Sequence, residues 1–413
     1  MENAILVGLD TGGKTDITES LLELGNLARA CDVNVLYTII QKRDTPTANF
    51  YIGEGKVEEV LEAVNTLDAD LVIFNDELSP SHIRNLENSL KVKVIDRTVL
   101  ILDIFAKRAK TKEAMLQVEL AQAKYFMPRV VGMYKYLSRQ KSGTGSKGPG
   151  EQQLELDRRL LRSKITKLKR ELNQLVKVRR TQRNKRKSNN IKTVALTGYT
   201  NAGKSTLMNA IVDYSSMHND RYAFEQNMLF ATLETKTRKI NFENNREYLI
   251  TDTVGFIDKL PHHLVESFKS TLEEIAEASL ILHVIDASNP NYEDQIDVVE
   301  DVLEDIGIHE IPVIYVFNKN DIAKRTNHIA QNPSIFISAL NGENIDKLVE
   351  MIDKILYNDI IRTKMFLPFE KGDIYSKLKD NSNIIDTEYK DDGILIDLEI
   401  KQSLYNKYKK YVI

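Results

Sequence analysis

The sequence has one cysteine, Cys31, among 413 residues. That excludes an intrachain disulfide and a zinc site of the usual thiolate-rich kind. The start, Met1-Glu2-Asn3-Ala4-Ile5-Leu6-Val7-Gly8, lacks a basic region and has only a short apolar run. It does not read as a signal peptide. No stretch approaches about 20 apolar residues, so no membrane span is expected. A soluble, cytoplasmic monomer is the expectation. No internal repeat is visible. Net charge is scarce too: 57 Lys+Arg against 60 Asp+Glu leave −3. Taken alone, that value argues against a wholesale nucleic-acid binder.

What is present is ordinary globular composition, 42% apolar and 28% charged. The length suits two to four domains, at roughly 150 residues each. The charge is unevenly spread. Residues 158–187 hold 14 Lys+Arg and a single acid, Glu171, a local charge of +13. The rest of the chain therefore carries −16.

The pattern predicts an α/β multidomain chain with four regions. Residues 1–108 alternate short apolar runs (Ile5–Leu9, Val33–Ile40, Asp70–Phe74, Val92–Ile95) with helical patterns at Ile17–Ala30 and Val57–Leu67. Ser79-Pro80 reads as a helix cap followed by proline at N1. Such alternation implies a parallel sheet covered by helices. Residues 109–188 read as a helical hairpin. One helix runs from Lys110 to about Met127, and Pro128 opens a loop with a glycine-rich tip at Ser142–Gly150. A second helix runs from Glu151 to about Lys187. Its stripe Leu154, Leu161, Ile165, Leu168, Leu172, Leu175 would bury against the first helix. Residues 189–361 form a second α/β unit, read as a doubly wound mixed sheet. Its expected strands are Thr193–Thr197, Glu247–Thr251, Leu280–Ile285, Val313–Phe317 and Ser334–Ile337. Residues 362–413 read as a small α+β domain, in which Ile394, Ile396, Leu398 and Ile400 alternate after Asp391-Asp392-Gly393.

The chemistry concentrates in the second α/β unit. Gly198-Tyr199-Thr200-Asn201-Ala202-Gly203-Lys204-Ser205 fits the phosphate-loop pattern between a strand and a helix, with Thr206 following. Its glycines let backbone N–H groups converge on phosphate at a helix N-terminus. Lys204 would reach the β- and γ-phosphates, and Ser205 would hold Mg2+. Thr232, in Phe230-Ala231-Thr232-Leu233, would close over the γ-phosphate and complete the Mg2+ shell. In Asp252-Thr253-Val254-Gly255 the carboxylate would bind Mg2+ through water, and the Gly255 N–H would sense the γ-phosphate. In Asn318-Lys319-Asn320-Asp321, the Asp321 carboxylate can accept both guanine N1–H and the guanine amino group. Adenine offers neither donor. Ser338-Ala339-Leu340 would bring a backbone N–H to guanine O6. Together these segments predict GTP and GDP binding, with Lys204, Thr232 and Gly255 as the catalytic candidates.

This order of motifs resembles the translation-factor-related GTPases. Further marked segments are Ile52-Gly53-Glu54-Gly55-Lys56 and Gly148-Pro149-Gly150-Glu151-Gln152-Gln153 running on to Arg158-Arg159. With Asn227–Leu233, Asp252–Ile257 and His283–Ser288, these make the whole chain resemble the HflX family. Gln152-Gln153 departs from the family, whose members often have Thr before Gln. The resemblance implies a GTPase that binds the large ribosomal subunit and splits idle or stalled 70S ribosomes under stress. It also implies that the hairpin tip reaches toward the peptidyl-transferase region. Rival readings are a tRNA-modification GTPase, an ATP-dependent RNA remodeller and a ribosome-assembly factor. The first would need a folate or flavin domain and often a C-terminal cysteine.

Many GTPases place a water-orienting glutamine after the DxxG glycine. Here Phe256 stands there, and a phenyl ring cannot hydrogen-bond water, so slow intrinsic hydrolysis stimulated by the ribosome is expected. By resemblance, Asn201 is a candidate to help coordinate K+ beside the phosphates. The alternative is a loop-stabilising amide.

The basic helix favours a polyanion through salt-sensitive contacts. Arg158, Arg159, Arg162, Lys164, Lys167, Lys169 and Arg170 are the candidate rRNA contacts, with Lys141 and Lys147 at the tip. Aromatic interleaving is absent, which favours phosphate and shape contact over base stacking.

Gly8-Leu9-Asp10-Thr11-Gly12-Gly13-Lys14-Thr15 fits the phosphate-loop pattern as well, with Asp76 as a possible acid partner. The family's first domain is associated with adenine nucleotide, so a second site for ATP stands against a turn-and-cap reading. His283 reads as a packed core or switch-adjacent residue rather than a ligand, His262 and His263 lack metal-ligating partners, and Cys31 reads as a buried small apolar residue.

Overall fold

A computed structural model of the chain describes residues 1–12, 16–139, 149–188, 191–215, 236–241, 247–259, 272, 274–323 and 333–413. The first region is a four-stranded parallel sheet in the order β2-β1-β3-β4. Its strands are β1 (Glu2–Asp10), β2 (Val33–Lys42), β3 (Leu71–Phe74) and β4 (Lys93–Asp96). Its helices are α1 (Ile17–Ala30), α2 (Glu54–Leu67), α3 (Pro80–Leu90) and α4 (Arg97–Arg108). Period-two alternation sends Ile5, Val7 and Leu9 to a core shared with α2 and α3. Ala4 and Leu6 face the other core, shared with α1 and α4. Ser79 caps α3, accepting the His82 N–H at 3.2 Å, with Pro80 in the first turn.

Helix α5 (Lys112–Arg139) and helix α6 (Pro149–Ser188) form the hairpin. The sequence pattern ends α5 at Pro128; the helix instead runs through it. Proline removes one helical N–H and crowds the preceding turn, but the flanking residues are anchored. Tyr125 donates to Asp96 Oδ2 at 2.9 Å. Arg129 donates to Leu78 O at 2.9 Å and to the Tyr125 carbonyl at 2.8 Å. Leu168 and Leu172 of α6 bury against Leu116 and Leu120 of α5, flanked by Ile165 and Leu175. The opposite face of α5, with Ala114, Val118, Ala121 and Tyr125, belongs to the core of the first region.

The second α/β unit has a six-stranded sheet in the order β10-β9-β8-β5-β7-β6. Its strands are β5 (Lys192–Gly198), β6 (Lys236–Asn241), β7 (Glu247–Asp252), β8 (Leu280–Asp286), β9 (Val313–Asn318) and β10 (Ser334–Phe336). All pairs are parallel except β6 with β7. Helices α7 (Lys204–Ser215), α8 (Tyr292–Asp305), α9 (Asn320–Ala323) and α10 (Ile345–Leu356) complete the described part. Sequence reading did not find β6, because Lys236, Arg238 and Lys239 break the apolar pattern. Pairing with β7, with Ile240 fully buried, makes it a strand.

The last region is an antiparallel sheet, β11 (Ile360–Pro368), β13 (Gly393–Lys401) and β12 (Asn383–Lys390), with β13 central. Helices α11 (Gly372–Asn381) and α12 (Gln402–Tyr408) pack on it. Ile396, Leu398 and Ile400 are buried as the alternation predicts. The expected α/β multidomain class holds throughout. Among the described residues, no helix is long and apolar enough to cross a membrane.

Candidate nucleotide site

Strand β5 sits between β8 and β7, where the order of connections reverses. In open α/β sheets, the carboxyl ends of strands at such a point form the ligand crevice. Gly198–Ser205 leaves β5 there. Gly198 has φ +142°, and a Cβ would lie 2.1 Å from Val284 O. Gly203 has φ +92°, and a Cβ would lie 2.3 Å from Asn318 Nδ2. No side chain fits either position, so the sequence spacing of these glycines has a steric cause. Asn201 is also left-handed, at φ +61°.

Lys204 opens α7 and is buried. Its Nζ donates to Gly198 O at 3.0 Å and Tyr199 O at 2.8 Å. Burial pushes its ammonium down to about 8, opposed by the Asp252 carboxylate. The next residue, Ser205, donates its hydroxyl to Asp252 Oδ2 at 2.6 Å. Asp252 ends β7 and is fully buried. Two hard oxygen donors thus converge beside the phosphate loop, a donor set that fits Mg2+ completed by phosphate and water. Thr253 turns inward, its hydroxyl donating to Leu196 O at 2.7 Å.

The DxxG segment is sewn to the phosphate loop. Phe256 N–H donates to Gly198 O at 3.1 Å, and Thr200 N–H donates to Phe256 O at 2.7 Å. A Cβ on Gly255 would lie 2.8 Å from Thr200 Cα and 3.0 Å from Lys204 Nζ. The Phe256 ring is buried with Leu272, Ile275 and Val299. It therefore supplies packing and no hydrogen bond.

At the far end, Asn318 ties two loops together. Its Nδ2 donates to Ala202 O at 2.9 Å, and its Oδ1 accepts the Ala339 N–H at 2.9 Å. Lys319 is held by Asp286 at 2.6 Å. Ser338 donates its hydroxyl to Asp321 Oδ1 at 2.7 Å, which aims the carboxylate. The Ser338 N–H is spent on Glu343 O and the Ala339 N–H on Asn318. Of the three candidate amides, that of Leu340 has no protein acceptor among the described residues, and Leu340 is 74% exposed.

Phe230, Ala231 and Thr232 lie outside the described residues, as do Lys141, Lys147, His262, His263 and the tip from 140 to 148. The seven basic candidates on α6, from Arg158 to Arg170, are all exposed. Arg159 and Lys164 make long surface pairings, with Glu155 at 3.4 Å and Glu119 at 3.9 Å.

His283 is buried on β8 against Tyr315, ring centroids 5.6 Å apart. Burial, reinforced by the Lys204 charge, pushes its imidazole down to about 3. Cys31 is half-buried rather than buried, and its thiol is raised to about 11, chiefly by burial. In the Gly8–Thr15 segment, a Cβ on Gly8 would lie 2.8 Å from Leu21 Cδ1. The carboxylate of Asp16 caps α1, accepting the Thr18 N–H at 2.8 Å. A carboxylate already held at that helix N-terminus supports the turn-and-cap reading. Gly13, Lys14 and Thr15 are not among the described residues.

Sequence reading missed the contacts that the first region makes with this site. Tyr199 donates to Glu23 of α1 at 2.7 Å. Lys259 pairs with Asp76 at 2.6 Å, so this acid faces a lysine of the second unit. Asn289 and Asn291 both donate to Glu19. Tyr199, Val254 and Ile257 join the core beneath α1 and α4. These partners lie far apart in sequence, and no local spacing announces them.

Three family models match the chain. They are described as GTP-binding GTPase N-terminal over residues 18–106, GTP-binding GTPase Middle Region over 108–186 and 50S ribosome-binding GTPase over 193–319. GTPase HflX of Caldanaerobacter subterraneus is 44% identical over 412 residues, covering 100% of this chain and 94% of that protein. GTPase HflX of Escherichia coli is 39% identical over 409 residues, covering 98% and 94%. Among solved structures, a GTP-binding protein from Sulfolobus solfataricus in complex with GDP matches with a TM-score of 0.44 and 25% identity, covering 87% of this chain and 99% of that one. With near-complete coverage by relatives at this identity, the chain belongs to the HflX family of GTPases.

Proposed function

We propose that this protein is a GTP-hydrolysing switch that binds the large ribosomal subunit in the cytoplasm and separates it from the small one. The observation that carries this reading is the row of seven exposed basic side chains on α6. It sits on a hairpin whose partner helix shares a core with the nucleotide loops. Helix α5 packs on α6 with one face, and its other face joins the cluster containing Tyr199, Val254 and Ile257. This continuous packing is the route by which a change at the DxxG segment would reach the base of the arm. The family model over the nucleotide unit, described as a 50S ribosome-binding GTPase, supports the same partner.

At the site, backbone amides of Gly198–Ser205 cradle phosphate and Lys204 neutralises it. Asp321 selects guanine. Ser205, Asp252 and Thr232 are the residues to hold Mg2+, which when bound neutralises charge on the phosphate oxygens. Thr232 and Gly255 sense the γ-phosphate and order their loops around it. Phe256 orients no water, so turnover alone is slow and the ribosome accelerates it. Sucrose-gradient profiles of 70S ribosomes with this protein test the reading. GTP or a non-hydrolysable analogue should shift 70S particles to free subunits. Unshifted 70S peaks would remove the splitting function.

A further inference from the structure

Glu23 lies on α1, outside every nucleotide motif, yet its carboxylate meets the phosphate loop. One oxygen is held by the guanidinium of Arg97. Arg97 is 1% exposed and also donates to Asn75 Oδ1 at 3.2 Å, so its position is set by the core of the first region. The other oxygen accepts the Tyr199 hydroxyl at 2.7 Å. Having donated there, the same hydroxyl accepts the Asp258 N–H at 2.7 Å. Burial, then the Glu23 charge, raises the phenol far above its ordinary range, so it stays a donor. The relay runs from Arg97 through Glu23 and Tyr199 to the backbone three residues past Gly255.

That backbone is pinned on its other side by the phosphate loop, through Phe256 and its bonds to Gly198 and Thr200. With no glutamine at 256, the geometry at the γ-phosphate depends on where this backbone stands. We propose that Glu23 is a positioning residue for GTP hydrolysis, acting through the Tyr199 hydroxyl to fix the segment Gly255–Asp258. The inference rests on the reading that this site hydrolyses GTP.

The Tyr199 hydroxyl is engaged by Glu23 and the Asp258 N–H, and neither it nor the Glu23 carboxylate is among the groups assigned to hold the nucleotide, so the loss should fall on kcat. The test is phosphate release by the full chain over a GTP series, with and without large ribosomal subunits. Tyr199→Phe removes only the oxygen and keeps the ring packing. Glu23→Gln keeps the shape. Each should lower kcat about tenfold with KM within about twofold, and the double variant should be no slower than either alone. Melting temperature is read alongside. If Glu23→Gln unfolds because it strands the buried Arg97, Tyr199→Phe carries the test alone. Unchanged kcat in a folded variant, multiplying losses, or a change confined to KM would overturn the role of Glu23. A parent chain that hydrolyses no GTP in either condition would instead overturn the functional reading itself.

Discussion

Thr200 and Phe256 are joined backbone to backbone, with the Thr200 N–H donating to Phe256 O at 2.7 Å. The bond extends the central sheet past the ends of β5 and β7 and seats the Phe256 ring in the core, 2% exposed. Phe256→Gln therefore should not install a water-orienting amide. It should bury an amide among Leu272, Ile275 and Val299 and cost about 3 kcal/mol. Denaturant unfolding checks the stability loss, and single-turnover hydrolysis should show no gain.

Lys204→Met separates binding from stability. The native ammonium is depressed from 10.5 to about 8. Below pH 8 both folded and unfolded states hold the proton, so the cost of burying the charge is felt in full. The cost fades as pH rises toward 10.5, where the folded state has released its proton. The variant should be up to about 3 kcal/mol more stable than the parent at pH 7. It should lose GTP affinity by at least about 100-fold. Thermal melts at pH 7 and pH 10 would show the advantage shrinking with pH. An advantage that grows with pH would refute the assignment.

Asp321→Asn tests base selection. Asparagine presents a donor amide where guanine also presents donors. GTP affinity should fall by roughly 100-fold or more, and xanthosine triphosphate, with a carbonyl in place of the amino group, should bind better than GTP. Competition against a fluorescent guanine nucleotide measures both. Preserved GTP preference would place the selector elsewhere.

Reversing Arg158, Arg159 and Arg162 to Glu should weaken binding to large subunits at least about tenfold and flatten its dependence on salt. GTP hydrolysis without ribosomes should stay at the parent rate, since these side chains stand on the arm. Co-sedimentation across a KCl series gives the slope.

Asn201 holds a left-handed backbone at the phosphate loop, φ +61°. If its amide helps hold K+, hydrolysis in KCl should exceed that in NaCl by about tenfold or more, and Asn201→Ala should erase the difference. Equal rates in both salts would leave Asn201 a loop residue.

The residues of the nucleotide site were legible in the sequence because each motif is local. Gly198 and Gly203 stand where any Cβ would collide, and such positions leave a mark at fixed spacing. The basic arm was legible once charge was counted by segment rather than summed. Pro128 and β6 were misjudged for one reason: both are decided by partners. Anchors at Asp96 and Leu78 carry α5 past its proline, and β7 makes a strand of a charged stretch. The docking of α1 on the phosphate loop was not legible at all. Glu23 and Tyr199 are 176 residues apart, and only the packing of two sheets brings the carboxylate to the phenol. By itself the sequence determined the class of fold, the candidate nucleotide motifs and the sign of the arm's charge, all set by short spacings and composition. Tertiary structure decided what those readers lean on, because a contact between two domains leaves no periodic trace in either.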